Sequence, residues 1–484
     1  MKKILYLIIV LITFASCGKL EDLNVNTKDF TVVKGEALFS NAQKNLVDQM
    51  VSTNVNNNIF RFFTQQWTET TYLDEVNYDI VTRTIPGNHW NTLYRRVIMN
   101  LNDASKTLDA TPVLPQITGE TPEIRQNKMA TIEIMKVYSW SVLVQTFGNL
   151  PYSKALDIDN NPLPAYDDAS TVYKDLISRL NAAIGKISLV DEGMGSFDNI
   201  YNGDMTKWLK FANSLKLRMG MVISDSDPVL AKSTVESAAA AGLITDNADN
   251  ASMAYLSDQP NTNPLFVDMV ASGRNDFVPA NTLVDAMNTL NDPRRSLYFT
   301  QVGGIFKGGI YGSSNGFSAY SHVNSNMLEP TFPGVILDAA EVEFLLAEAV
   351  EKTFNVGGTA ESHYNNGVKA SILNWGGAQA DVDTYLANPN VAYTNAGSGA
   401  TYKEKIGKQA WIALYNRGWE AWQEWVRLDY PIFVAPATAK SAIPVRLIYP
   451  ISEQTLNGDA WKAGAAALGT EGDVVTQKLF FDKF

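Results

Sequence analysis

The sequence predicts a mainly α-helical protein interrupted by one long, loop-rich insertion. Three observations carry this prediction. Apolar residues recur at helical spacing along most of the chain, and capping residues or glycines stand where those stripes begin and end. Residues 247–333 are different, being rich in Gly, Asn, Ser and Pro interleaved with Phe and Tyr. Long ordered loops of this kind tend to carry function.

Before the helices comes a leader. Lys2 and Lys3 precede an apolar run from Ile4 to Phe14, and Ala15-Ser16 precede Cys17, the three-part layout of a secretory signal. The run falls short of the ~20 apolar residues that span a bilayer. Cys17 is the only cysteine in 484 residues, which excludes an internal disulfide, a cysteine metal site and CxxC redox chemistry. Its position is that of the lipidated cysteine of a bacterial lipoprotein, where several acyl chains together anchor stably. Phe14 stands where Leu, Val or Ile is usual. The chain therefore divides into a signal peptide (1–16), a lipidated polar leash (17–34) without helical period, and a single helical domain (35–484).

The helices follow in order. "NKMATIEIMKVYSWSVLVQTFG" is apolar on nearly all sides, as a buried helix is, and closes at Gly148. "DASTVYKDLISRLNAAIGKI" offers Asp168 or Ser170 as cap and puts Val172, Leu176, Ile177 and Leu180 on one face. "DMTKWLKFANSLKLRMGMVIS" continues the pattern. In "AAEVEFLLAEAVEKTF", Val342, Leu345, Leu346, Ala349 and Val350 share a face, Gly357 and Gly358 supply a stop, and "AESHYNNGVKASILNW" returns. Such a pair is a helical hairpin of tetratricopeptide type, although no fixed period near 34 residues exists. Finally Trp411, Leu414, Tyr415, Gly418, Trp419, Trp422 and Val426 draw one apolar stripe, which belongs to a core; Trp425 lies off it.

Composition narrows the chemistry. The formal charge is -12, and no run of Lys or Arg makes a phosphate groove, so nucleic acid is not a partner. His89, His322 and His363 are the only histidines and none sits at metal-ligand spacing, so no metal or cofactor is expected. Gly312 to Gly316 matches GxSxG around Ser314 but lies in a glycine-rich loop rather than between strand and helix. Asp157, Asp159, Asn161 and Asp168 take calcium-loop positions, yet Pro162 stands where the sharp turn needs Gly. No catalytic residue is assigned.

Six blocks together carry a resemblance: "QTFGNLPYSKALD", "PLPAYDDASTVYKDLISRLNAAI", "WLKFANSLKLRMGMVIS", "AEVEFLLAEA", "IGKQAWIALYNRGWEAWQEWVRLDYP" and "IPVRLIYPISEQTLN". In this order they resemble the SusD/RagB family, the surface nutrient-binding lipoproteins of Bacteroidetes. The resemblance implies a SusD-like fold, with degenerate tetratricopeptide hairpins as scaffold and irregular loops as ligand face. It also implies a partner, a SusC-like TonB-dependent outer-membrane transporter over which the lipoprotein sits as a hinged lid. The ligand would be an oligosaccharide or a peptide, captured without chemistry; a surface glycosidase is the alternative from another class. Glu21 and Asp22, just after Cys17, fit the cell-surface face of the outer membrane.

Sugar capture has its own physical requirements. A sugar ring lays its C–H face on an aromatic ring, and its hydroxyls need polar side chains at the edge. The stretch from Arg61 to Val97 supplies Trp67, Tyr72, Tyr78 and Trp90 as platforms with Asn77, Arg83 and Asn91 as polar partners. By the resemblance, the insertion adds Tyr311, Phe317 and Tyr320. Trp90 also shares a helical face with Leu93, Tyr94 and Val97, a core spacing.

Overall fold

The computed structural model describes residues 33–483, so Cys17, the leader and most of the leash lie outside the described residues. Helix α1 (Gly35–Val51) opens the scaffold. Helix α2 (Ile85–Asn91) runs through a π-helical stretch, Thr92–Ile98, into α3 (Met99–Ala110), which packs on α1. Helix α4 (Pro122–Phe147) starts where the Thr121 hydroxyl accepts from the Ile124 N–H, with Pro122 in the first turn, and stops at Gly148 with φ 84°. From Ala130 onward it is buried almost all round, as its unbroken apolar sequence requires.

Helix α5 (Ala169–Ile184) is capped by the Asp168 carboxylate, which accepts from the Thr171 N–H, and its predicted face of Val172, Leu176, Ile177 and Leu180 is buried against α4. Each such side chain removed from water stabilises by roughly 1.5–3 kcal/mol. The capping role occupies Asp168, and the Asp157 carboxylate accepts from the Asn160 and Asn161 side chains. Helices α6 (Met205–Val222) and α7 (Pro228–Ala240) form a second hairpin, and α8 (Ala339–Glu351) and α9 (Ala360–Asn374) a third. Two glycines set how closely these pairs approach. A Cβ on Gly220 would lie 2.7 Å from Val235 Cγ2, and one on Gly367 would lie 3.0 Å from Phe344 Cζ.

The tryptophan stripe is buried as its spacing predicts, but it is not one helix. Helix α10 (Tyr402–Ala413) ends, the chain turns through Asn416 at φ 68°, and α11 (Gly418–Leu428) begins. A Cβ on Gly418 would sit 2.7 Å from the Arg61 backbone nitrogen, which is why the new helix can start so close to a neighbouring chain. Buried ion pairs join the hairpins across the core: Arg218 on α6 and Arg417 both reach Glu341 on α8, and Arg427 on α11 reaches Glu348 on α8.

The insertion is more regular than its composition suggests. Strand β1 (Trp67–Glu69) is followed much later by β2 (Ala251–Met253), β3 (Phe277–Pro279) and β4 (Gly334–Leu337). The pairings are antiparallel, β1 with β3 and β2 with β4. A ten-residue helix, Asn281–Leu290, also forms there and buries Leu283, Val284 and Met287. Among the described residues no helix is long and apolar enough to cross a membrane.

Candidate ligand-binding site

The β1–β3 ribbon builds the site. Its register sets Trp67 opposite Pro279 and Glu69 opposite Phe277. Trp67 turns inward, 1% exposed, and its indole N–H donates to the Tyr415 hydroxyl at 3.1 Å. Three residues beyond the strand the chain reaches the surface at Tyr72, which is 58% exposed. There a groove of about 280 Å³ opens between the segment 53–56 and the segment 268–277. Tyr72, Arg83, Arg274, Asp276, Asp268 and Glu69 face it, with the Asn54 and Asn56 amides at the rim.

Charges in the groove are arranged in pairs. The Arg274 guanidinium stands 5.8 Å from the Tyr72 ring centroid and is held there by Asp276, an arrangement that fixes the ring with a cation over its face. Arg83 contacts the fully buried Glu75 carboxylate and lies 4.0 Å from Asp74. Glu69 accepts from the Val76 N–H at 3.2 Å, but burial, and then the neighbouring Glu75 charge, push its carboxyl far above the usual range. Burial likewise raises Asp268, against the pull of the Thr53 hydroxyl that donates to it at 3.1 Å. A protonated Glu69 carboxyl is a donor as well as an acceptor, so the floor can serve hydroxyls in either sense.

A smaller hollow continues from the groove through Asp268, Arg274, Asp276 and Phe277 to Phe317 and His322. Phe317 is half-buried and stacks on the His322 ring, centroids 3.9 Å apart and planes 12° apart, while His322 Nε2 lies 3.0 Å from the Phe317 carbonyl. The structure thus brings Tyr72, Arg83 and Phe317 of the predicted residues onto one continuous surface.

The others lie elsewhere. Trp67, Tyr78 and Trp90 give their rings to the core, where Trp90 packs on Tyr94 at 4.6 Å and edge-on to Phe147 at 5.0 Å. Tyr311 is half-buried, donates to the Phe62 carbonyl at 2.6 Å and sits 3.5 Å from the Tyr78 hydroxyl. Asn77 is buried, donating to the Leu73 carbonyl and accepting from Thr438. Asn91 is exposed at the end of α2 and borders a separate hollow beside Ile448 to Ser452. Tyr320 carries the Lys307 ammonium 4.9 Å from its ring centroid and does not line the groove. Ser314 donates to the Thr70 carbonyl, a loop-pinning role. Arg274, Asp276 and Asp268 escaped sequence reasoning. The signal for them was "SGRND" at 272–276, a glycine-broken run with Arg and Asp two apart inside the insertion.

A helical-hairpin scaffold with a loop-built groove is the architecture of a binding protein of SusD type. The chain belongs to the SusD-like family described as starch-binding and associating with the outer membrane, whose model matches residues 27–450. It is similar to a SusD homologue from Bacteroides uniformis, with 28% identity, 93% of this chain and 99% of that chain covered, and a TM-score of 0.76. A SusD homologue from Bacteroides ovatus shares 24% identity over 92% and 99% of the two chains with a TM-score of 0.76. A chitin-binding SusD homologue from Flavobacterium johnsoniae shares 24% over 92% and 97%, with a TM-score of 0.75. No protein of curated function matches the sequence.

Proposed function

We propose that this chain captures an oligosaccharide at the outer face of the outer membrane, where acyl chains on Cys17 hold it. It then passes the ligand unaltered to a SusC-like TonB-dependent transporter. The observation that carries the reading is the exposed Tyr72 ring, held under Arg274 and bordered by Arg83, Asp276 and asparagine amides. An aromatic face with donors and acceptors at its edge is what a sugar ring needs. The family's description as starch-binding, and the chitin-binding relative, favour a glycan over a peptide.

Electrophoresis of the purified chain through gels containing starch or soluble glycol chitin tests the capture step, with reducing ends assayed alongside. Retardation without new reducing ends is the expected result. Retention of a peptide library with no retardation by any glycan overturns the carbohydrate reading, and new reducing ends overturn the binder reading. For delivery, the intact lipoprotein is expected to bring a barrel transporter with it from detergent-solubilised outer membranes. A Cys17→Ala variant that stays in the outer-membrane fraction would refute the anchor.

A further inference from the structure

A second cavity, about 350 Å³, lies between the β2–β4 ribbon, the end of α9 and the turn joining α10 to α11. It shares no lining residue with the groove: Val51 borders this cavity, Thr53 the other. Its size falls within the roughly 300–1,000 Å³ usual for small-molecule sites, at the small end. We propose that it is a second site, for a single neutral sugar ring, seated on Trp375 and Phe332 and hydrogen-bonded by Asn374 and Ser252. This deepens the capture reading and rests on it only for the ligand being carbohydrate.

The walls argue for that class. Phe332 and Trp375, both half-buried, form an angled shelf with ring centroids 6.1 Å apart and planes 36° apart, which suits the C–H face of a sugar ring. Around the shelf stand donors that the fold leaves unused. The Trp375 indole N–H and the Ser252 hydroxyl make no hydrogen bond within the described residues, and Asn374 uses only its Oδ1, which accepts from Asn250 at 3.2 Å. Deeper in, Arg417 is 6% exposed; its Nη2 serves Glu341 and the Ile336 carbonyl, its Nη1 lies 2.9 Å from Asp338, and its Nε has no partner.

Charge then selects among oxygen-bearing ligands. Arg417 is already faced by Asp338, Glu341 and Glu420, with Arg218 beside Glu341, so that end of the cavity offers an anion no excess positive charge. Lys207 at the rim donates to the Ala248 carbonyl. An uncharged polyol ring fits where a carboxylate does not.

The test reads Trp375 itself. Its indole 1H–15N cross-peak, one of ten such in the full chain, is assigned by its loss in Trp375→Phe. Glucose, N-acetylglucosamine and glucuronate are titrated into the wild type and into a Tyr72→Ala/Arg274→Ala variant. A neutral sugar is expected to move the cross-peak with the same midpoint in both proteins, glucuronate to move it less, and Asn374→Ala to raise the midpoint roughly threefold or more. Asn374 is exposed at a helix end, so this last variant keeps the fold. An unmoved cross-peak, a shift that vanishes with the groove variant, or tighter binding of glucuronate overturns the proposal. Gel retardation by polysaccharide, lost only in the groove variant, reports the first site separately.

Discussion

The Arg61 guanidinium lies 5.3 Å from the Trp67 ring centroid and holds Asn416 Oδ1 with two donors, Nη2 at 2.8 Å and Nε at 3.2 Å. The same cation donates to the carbonyls of Val51, Ser52 and Asn416, so one buried side chain ties the end of α1 and β1 to the turn between α10 and α11. Burial lowers its pKa to about 10, which leaves it charged at neutral pH.

Asn416 combines that hydrogen bonding with a left-handed backbone. Asn416→Ala removes a charge-assisted acceptor and places an alanine where a Cβ is strained, an expected loss of roughly 2–4 kcal/mol. Asn416→Gly keeps the turn and loses only the side-chain bonds, so its denaturation midpoint should fall between those of the wild type and the alanine variant. Equal midpoints for glycine and alanine would show that the backbone contributes nothing.

Glu341 is the shared carboxylate of Arg218 and Arg417. Burial pushes its carboxyl up, but the two guanidiniums together hold it below the usual range. Its folded pKa being depressed, the stability it contributes is present above the ordinary glutamate value of 4.5 and is lost as pH falls through the folded value. Glu341→Ala takes the ion-pair partner from buried Arg218 and leaves Arg417 with Asp338 and Glu420, with an expected cost of roughly 3–5 kcal/mol at pH 7. Urea titrations at several pH values should show that cost shrinking on acidification.

What the sequence made legible was whatever depends on periodicity. The faces of α5 and of the tryptophan stripe, the cap at Asp168 and the stop at Gly148 are local patterns, and each stands where the spacing puts it. The break at Asn416 was not legible, because the apolar stripe runs on through Leu414, Tyr415 and Gly418 at unbroken helical spacing; the partner that fixes it, Arg61, is 355 residues away. The groove suffered in the same way. Tyr72 and Arg83 could be named, but Arg274 and Asp276 join them only through the pairing of β1 with β3, which no local pattern encodes. Trp67 and Tyr72 are equally aromatic, yet Trp67 lies on the ribbon and is buried, whereas Tyr72 lies beyond its end and is exposed.

Glu69 makes the groove floor pH-dependent. Its folded pKa is raised, chiefly by burial and then by Glu75, so above 4.5 the unfolded chain releases a proton that the folded chain keeps. Stability therefore declines as pH rises through the window between 4.5 and the raised folded value. Glu69→Gln removes this penalty, and its thermal midpoint should exceed that of the wild type at pH 8 with little difference at pH 4. A wild-type advantage at pH 8 would mean that Glu69 is ionised in the fold.

Tyr72 and Trp90 separate binding from packing. Tyr72 is exposed beside Arg274, whereas Trp90 is 6% exposed among Tyr94, Phe147 and Tyr449. An aromatic stacking contact contributes about 0.5–1.5 kcal/mol, so Tyr72→Ala should weaken glycan retention by roughly three- to tenfold and leave the thermal midpoint close to that of the wild type. Trp90→Ala opens a core cavity and should cost roughly 3–5 kcal/mol in denaturant titrations. At temperatures where that variant stays folded, its retention should match the wild type. Because the two residues lie in one stretch of sequence and differ only in where the fold points them, the reverse pattern, with retention lost at Trp90 and stability lost at Tyr72, would move the ligand surface away from the β1–β3 ribbon.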